Sequence, residues 1–432
     1  MANGLVIAAT RSGSGKTMLT LGLLRALGLR GITVAPAKTG PDYIDTAILG
    51  RVAGRAAINL DPWAMDAGRL RGLASAHAAG ADLLLVEGVM GLFDGAADGN
   101  GSTADLAATL KLPVVLVVDA ERLSQSIAPL VSGFANWRDD VRIAGVVLNR
   151  VGSPRHELML RRALEPTGIE VLGAVPRDRD LNLPERHLGL VLPDEIARFD
   201  EVVAQAARSI AAHVDIDALL AVGLPLATGA AHSALPPLGQ HVAVARDDAF
   251  AFVYQHLLCG WREAGASMSF FSPLADEAPD AGADAVFLPG GYPELHGARL
   301  AAAQRFRTGL VAARERGALI YGECGGYMVL GRSLTDRDGQ THEMTGLLPV
   351  ATRIDRPRRT LGYRRLNHAG HLPWPRSLAG HEFHYSSETA HGLPPLFLAR
   401  DAEHGDRGAM GAVDGRVMGS YAHVIEAGEG AG

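Results

Sequence analysis

The chain has 432 residues, 47% of them hydrophobic and 20% charged, with a formal net charge of −6. This is the balance of a globular protein of two or three domains, and it argues against a surface built for nucleic acid or for an anionic membrane. Two cysteines, Cys259 and Cys324, are too few for a disulfide framework. With no apolar run of membrane-spanning length and no basic-then-apolar leader pattern, a cytoplasmic enzyme is expected.

In the first half, apolar runs alternate with helical spacing. Strands are predicted over residues 5–9, 32–37, 82–86, 114–119, 143–148 and 170–174. Helices are predicted over 16–29, 66–79, 103–110 and 154–166. The pattern is that of α/β folds with a mostly parallel sheet covered on both faces, whose chemistry collects at the carboxyl ends of the strands.

The first strand runs into Ala9-Thr10-Arg11-Ser12-Gly13-Ser14-Gly15-Lys16-Thr17. A strand, a glycine-rich turn and a helix in this order make a phosphate-binding loop. Backbone N–H groups of Gly13, Ser14 and Gly15 point at phosphates, Lys16 reaches their oxygens, and the Thr17 hydroxyl is placed for Mg²⁺. Thr10 and Ala9 stand where the two usual spacings have glycine, so the loop is a variant form. ATP with Mg²⁺ is the expected pair.

The second strand is followed by Lys38-Thr39-Gly40-Pro41-Asp42-Tyr43-Ile44-Asp45, and the third by Glu87-Gly88-Val89-Met90-Gly91-Leu92-Phe93-Asp94-Gly95. Both place carboxylates past strand ends on the edge that carries the phosphate loop. Glu87 is the first choice as a hard oxygen ligand for Mg²⁺. Asp42, Asp45 and Asp94 are candidates to orient a substrate, with helix capping and turn formation as the plainer alternative. Asn149 ends a later strand, where its amide can meet a purine edge or satisfy a turn.

Residues 223–240 are rich in Pro, Ala and Gly and read as a linker between domains 1–222 and 241–432. Beyond it, strands are predicted over 241–245, 267–271, 285–288 and 318–321, with helices over 250–263 and 299–316. The last strand leads into Gly322-Glu323-Cys324-Gly325-Gly326-Tyr327-Met328. A cysteine among glycines between strand and helix is a nucleophile elbow, with the Gly325 N–H as an oxyanion donor. The Gly290-Gly291 turn offers a second donor at Gly291, and His423 offers a base. Cys259, beside Leu257, Leu258 and Trp261, fits an apolar filler.

Taken in order, these motifs and Gly380-His381-Glu382-Phe383-His384-Tyr385-Ser386 resemble the cobyrinate or hydrogenobyrinate a,c-diamide synthases over nearly the whole chain. The resemblance implies a dethiobiotin-synthetase-like P-loop domain followed by a class I glutamine amidotransferase domain. It implies that ATP converts corrinoid acetate side chains a and c to acyl phosphates, and that ammonia released from L-glutamine at Cys324 converts these to amides. It places Asp42, Tyr43, Ile44, Glu87 and Asp94 at the corrinoid and Mg–ATP site, with Asp45 in the same motif. The small-molecule partners are ATP, glutamine and a corrinoid, acting on a monomer or homodimer. Many class I glutaminases carry a glutamate two residues after the catalytic histidine. Here that residue is Ile425, the nearest acid is Glu426, and what orients His423 is left open. Two alternatives stand: amidation of other corrin side chains in the manner of cobyric acid synthase, and a non-catalytic P-loop regulatory ATPase.

Overall fold

A computed structural model describes residues 2–178, 181, 185–186, 189–190, 196, 198–227, 229, 235–389 and 392–428. The chain divides into two compact units, Met1–His232 and Ser233–Gly432.

Unit 1 opens with β1 (Asn3–Ala9), α1 (Lys16–Leu29), β2 (Val34–Thr39), α2 (Tyr43–Ala53), β3 (Ile58–Leu60), α3 (Ala67–His77) and β4 (Leu83–Glu87). It continues with α4 (Thr103–Leu110), β5 (Val114–Asp119), α5 (Ile127–Asn136), β6 (Ile143–Val151), α6 (Pro154–Leu164) and β7 (Val171–Pro176). A two-strand pair, β8 (Glu185–Arg186) and β9 (Gly189–Leu190), precedes α7 (Phe199–His213), α8 (Ile216–Ala221) and β10 (Leu224–Pro225).

The sheet order is β3-β2-β4-β1-β5-β6-β7, all parallel, with β10 added antiparallel to β1. Val6, Ile7, Val86 and Val115 are fully buried, as strands covered on both faces require. Part of the expected linker is therefore sheet: Leu224–Pro225 pairs with Asn3 and Gly4. Residues 228 and 230–234 of that linker lie outside the described residues. The register sets Lys38 of β2 beside Glu87 of β4, and Asp119 of β5 beside Asn149 of β6.

Two local departures from the predicted elements matter for the site. Residues 43–45 begin a helix, because the Asp42 carboxylate accepts the Asp45 N–H at 2.8 Å and caps α2. A second unpredicted helix, α5, follows β5.

Unit 2 begins with β11 (His241–Ala245), α9 (Gln255–Glu263), β12 (Ser267–Phe271), β13 (Ala285–Leu288), α10 (Gly297–Ala302), α11 (Gln304–Glu315), β14 (Leu319–Glu323) and α12 (Gly325–Leu330). Further strands follow: β15 (Ser333–Thr335), β16 (Thr341–Glu343), β17 (Ala351–Arg353), β18 (Thr360–Asn367), β19 (Ser377–His384) and β20 (Ser387–Glu388). The last are β21 (Phe397–Arg400), β22 (Asp406–Met410), β23 (Ala412–Asp414), β24 (Val417–Ser420) and β25 (Ala422–Ala427).

The central sheet, ordered β12-β11-β13-β14-β24-β23, is parallel except for β23. A five-stranded antiparallel sheet, β22-β21-β18-β19-β25, and a four-stranded sheet, β16-β15-β17-β20, complete the unit. Neither was legible from periodicity. A core of large side chains, including Phe250, Phe306, Ile320 and Tyr327, fixes the central sheet against its helices. Among the described residues no helix is long and apolar enough to cross a membrane.

α12 packs tightly against β13. A methyl group on Gly326 would lie 1.9 Å from the Leu288 carbonyl oxygen, so backbone would have to move to admit it. Gly326→Ala is expected to destabilise the protein by about 3 kcal/mol or more. A fall in the chemical denaturation midpoint measures this; an unchanged midpoint contradicts the packing described.

Candidate functional site

In unit 1 the phosphate loop closes over the carboxyl edge of the sheet. Gly13 and Gly15 have φ of +75° and +81°, which glycine adopts without strain. Ser14 Oγ donates to the Arg11 carbonyl at 2.9 Å and holds the turn. Asn149 Nδ2 donates to the Ser14 carbonyl at 2.8 Å, so its amide braces the loop. A Cβ on Gly15 would meet that same amide at 2.3 Å.

Lys16 Nζ donates to the Met90 carbonyl at 3.0 Å, which joins the loop to the segment after β4. Burial, helped by the charge on Lys38, pulls Lys16 down to about 8. Thr17 Oγ1 donates to Glu87 Oε1 at 2.9 Å. Glu87 is fully buried, and its Oε2 has no hydrogen-bond partner among the described residues. Lys38 Nζ donates to Glu87 Oε1 at 2.8 Å and also bonds the Asp45 carboxylate. Burial opposes the Lys38 charge, but Asp45 and Glu87 outweigh it and hold the ammonium well above its usual range. Burial and the neighbouring Asp45 push the Asp42 carboxyl upward.

Asp42 and Asp45, the phosphate loop and Asn149 line one cavity of about 390 Å³, together with Arg150, Val175 and Pro176. Tyr43 opens α2 between the two aspartates. Ile44 and Asp94, also expected at the substrate, are not among the residues that line this cavity. Ile44 is 6% exposed and packs in the core, because it falls on the inward face of α2. Asp94 is exposed and accepts the Gly91 N–H at 2.8 Å in the turn after β4. Sequence reasoning missed Lys38 as a functional residue; the available signal was a lysine ending a wholly apolar strand. It also missed Asp119, which holds both Arg11 and Arg150 at 2.8 Å.

In unit 2, the ends of three neighbouring parallel strands supply the second centre. Register pairs Leu288 with Gly322 and Glu323 with Ser420, so the turns after β13, β14 and β24 lie side by side. Cys324 has φ +47° and ψ −106°, a strained conformation for a residue with a Cβ and one that typically costs about 1–3 kcal/mol. Its N–H donates to the Ser420 carbonyl at 2.8 Å, which helps hold the strain.

A Cβ on Gly290 would lie 2.4 Å from His423 Cε1 and 3.2 Å from Cys324 Cβ. The cysteine and the histidine thus converge on one glycine. The Gly291 nitrogen lies 3.1 Å from where a Gly325 Cβ would stand, which brings the two expected oxyanion donors together. Burial, then Glu294, pushes the Cys324 thiol up, while the Gly325 N–H partly counters them. Burial pulls His423 down to about 3.

His423 lies on β25 opposite His381 of β19. Glu426 pairs with Ala379 beyond a bulge. An acid not singled out from the sequence, Glu323, places Oε2 3.8 Å from His423 Nδ1. Arg364 and His384 flank Glu382 in a buried cluster, and His384 stacks on Tyr421 at 4.0 Å.

Residues 5–191 match the CobQ/CobB/MinD/ParA nucleotide binding domain, and residues 241–430 match the CobB/CobQ-like glutamine amidotransferase domain. The chain is 57% identical over 428 residues to the hydrogenobyrinate a,c-diamide synthase of Brucella suis biovar 1 (strain 1330), with 98% of each chain covered. It is 53% identical to the protein of that name from a Sinorhizobium species, covering 98% of this chain and 99% of that one. The protein of that name from Rhodobacter capsulatus is 51% identical, with 98% of each covered.

His423 makes unit 2 sensitive to acid. Its folded-state pKa lies below its unfolded value, so it contributes stability that is complete above about 6.5 and lost as pH falls toward 3. Between pH 7 and pH 5 wild type is expected to lose about 2 kcal/mol more than His423→Gln. Urea unfolding at the two pH values checks this; equal losses contradict it.

Proposed function

The chain belongs to the hydrogenobyrinate a,c-diamide synthase family, and on that premise we propose that it amidates the a and c acetate carboxylates of a corrinoid. It is an amidating enzyme of cobalamin biosynthesis that uses glutamine, and its nucleotide-binding domain implies ATP. The reaction is that of a carbon–nitrogen ligase. A carboxylate oxygen of the corrinoid attacks the γ-phosphorus of ATP, ADP departs, and an acyl phosphate forms. Ammonia then attacks the acyl carbon; phosphate leaves with the C–O electron pair and a proton is released.

The geometry supports this division of labour. Gly13, Ser14, Gly15 and Lys16 cradle the phosphates, and Asn149 keeps the loop in shape. Asp42 and Asp45 line the cavity that the corrinoid carboxylate would enter, and Tyr43 stands between them in the chain. Lys38, held charged between Asp45 and Glu87, supplies fixed positive potential for the transferring phosphoryl group. The residues fit a magnesium ion: Glu87 Oε2 is buried without a partner among the described residues, and Thr17 Oγ1 stands on the other oxygen. Thr17 and Glu87 would hold that ion, whose charge offsets that of the β- and γ-phosphates.

In unit 2, Cys324 Sγ attacks the side-chain amide carbon of glutamine while its proton passes to His423. Gly291 and Gly325 receive the oxyanion on their N–H groups. His423 returns the proton to the departing ammonia, and water then resolves the thioester to glutamate. A thiol that must stay reduced favours a cytoplasmic setting. The observation that carries the reading is the presence on one chain of a phosphate loop tied to Glu87 and a strained cysteine set against a histidine.

The test is ATP-dependent mass gain on hydrogenobyrinic acid and on cobyrinic acid, with glutamine or ammonium as nitrogen source. Two amidations are expected from wild type. Cys324→Ala should lose at least about 1000-fold of the glutamine-dependent rate and keep the ammonium-dependent one. Intact ATP and glutamine hydrolysis without mass gain on either macrocycle would contradict the assignment.

A further inference from the structure

The family resemblance leaves the catalytic histidine without its usual acid, since Ile425 occupies that place and is fully buried. The structure offers another. Glu323 ends β14, immediately before the nucleophile, and is 2% exposed. Its Oε1 accepts the Tyr321 hydroxyl at 2.9 Å and the Val424 N–H at 3.1 Å. These two bonds, one from its own strand and one from the residue after His423, fix the carboxyl group. Its Oε2 is left 3.8 Å from His423 Nδ1.

We propose that Glu323 is the residue that positions His423: its Oε2 accepts the Nδ1–H and leaves Nε2 as the nitrogen that serves Cys324. This rests on the reading of Cys324 and His423 as nucleophile and base. At 3.8 Å the pair is beyond hydrogen-bond length, and catalytic contacts of this kind tighten in the substrate complex. A histidine with two ring nitrogens needs one tautomer held for it, and a carboxylate behind the ring is the general means of doing so.

The surroundings explain why this acid can lie so close to a nucleophile. Burial raises Glu323 to about 8, raises the Cys324 thiol and lowers His423. Near neutral pH the resting centre therefore holds no net charge on these three groups. Other titratable groups facing it are Tyr321 on β14, His381, Glu382 and His384 on β19, Glu294 in the turn after β13, and Tyr421. His381 and His384 act against an imidazolium at His423. Glu323 is the acid whose oxygen stands at Nδ1.

Glu323→Gln tests this in the full chain, because an amide oxygen can still accept from Tyr321 and Val424. Glutamine hydrolysis by Glu323→Gln should fall about 100-fold in kcat with KM for glutamine little changed. The wild-type rise in kcat/KM through about pH 8, as Glu323 ionises, should be absent. Imidazole ¹⁵N shifts at pH above 8 should assign the His423 proton to Nδ1 in wild type and show a tautomer mixture in Glu323→Gln. Glu323→Asp should recover part of the rate, and Glu426→Gln should leave the profile in place.

An unchanged tautomer and pH profile in Glu323→Gln overturns the proposal, as does a profile that moves in Glu426→Gln instead. Wild type that hydrolyses no glutamine, or Cys324→Ala that hydrolyses it normally, overturns the underlying reading and the proposal with it. Wild type that is active where Cys324→Ala is not keeps that reading, so the two failures are distinct.

Discussion

The phosphate-binding unit depends on a buried cation. Lys38 is 2% exposed at the end of an apolar strand, and only the carboxylates of Glu87 and Asp45 make its charge tolerable there. Register brings Lys38 and Glu87 together, since β2 and β4 are adjacent and parallel. The same Glu87 oxygen receives the Thr17 hydroxyl from the first turn of α1. One pair of groups thus ties two strand ends to the phosphate loop, and α2 is recruited through Asp45. Removing one partner of such a buried pair typically costs about 3–5 kcal/mol, because the other charge is left uncompensated. The charge density that makes the cluster costly to bury is what a polyphosphate and its counter-ion can use.

The amidotransferase unit solves the opposite problem, keeping reactive groups uncharged until substrate arrives. Burial disfavours the thiolate, the imidazolium and the Glu323 carboxylate together. Glycines are required where the strand ends crowd, as a Cβ on Gly291 would lie 2.1 Å from the Ala249 carbonyl oxygen. Strain at Cys324 is held by the Ser420 carbonyl on one side and α12 on the other.

What was legible in the sequence was local. The phosphate loop, the cysteine elbow and most strands of the two parallel sheets follow from residues close together in the chain, and α1, α4 and β5 have the bounds that periodicity predicts. Positions whose meaning comes from a neighbouring strand were not legible. Glu323 reads as a residue beside a nucleophile until Val424 and His423 are brought to it across the strand ends. Lys38 reads as part of a motif until β4 lies next to it. The turn bond of Asp94 and the inward face that Ile44 takes on α2 were likewise not legible. Most strands after β14 span two to six residues, too few for alternation to register. β18 and β19 have eight, but they bury Arg364, Glu382 and His384, polar residues that break it.

In the proposed reaction unit 1 activates a carboxylate by phosphorylation. Hydrogenobyrinic acid carrying ¹⁸O in its acetate carboxylates tests it directly. One ¹⁸O should appear in inorganic phosphate for each amide formed, because the oxygen that attacks phosphorus leaves with it. Phosphate free of ¹⁸O, with amide formed at the normal rate, would contradict the account.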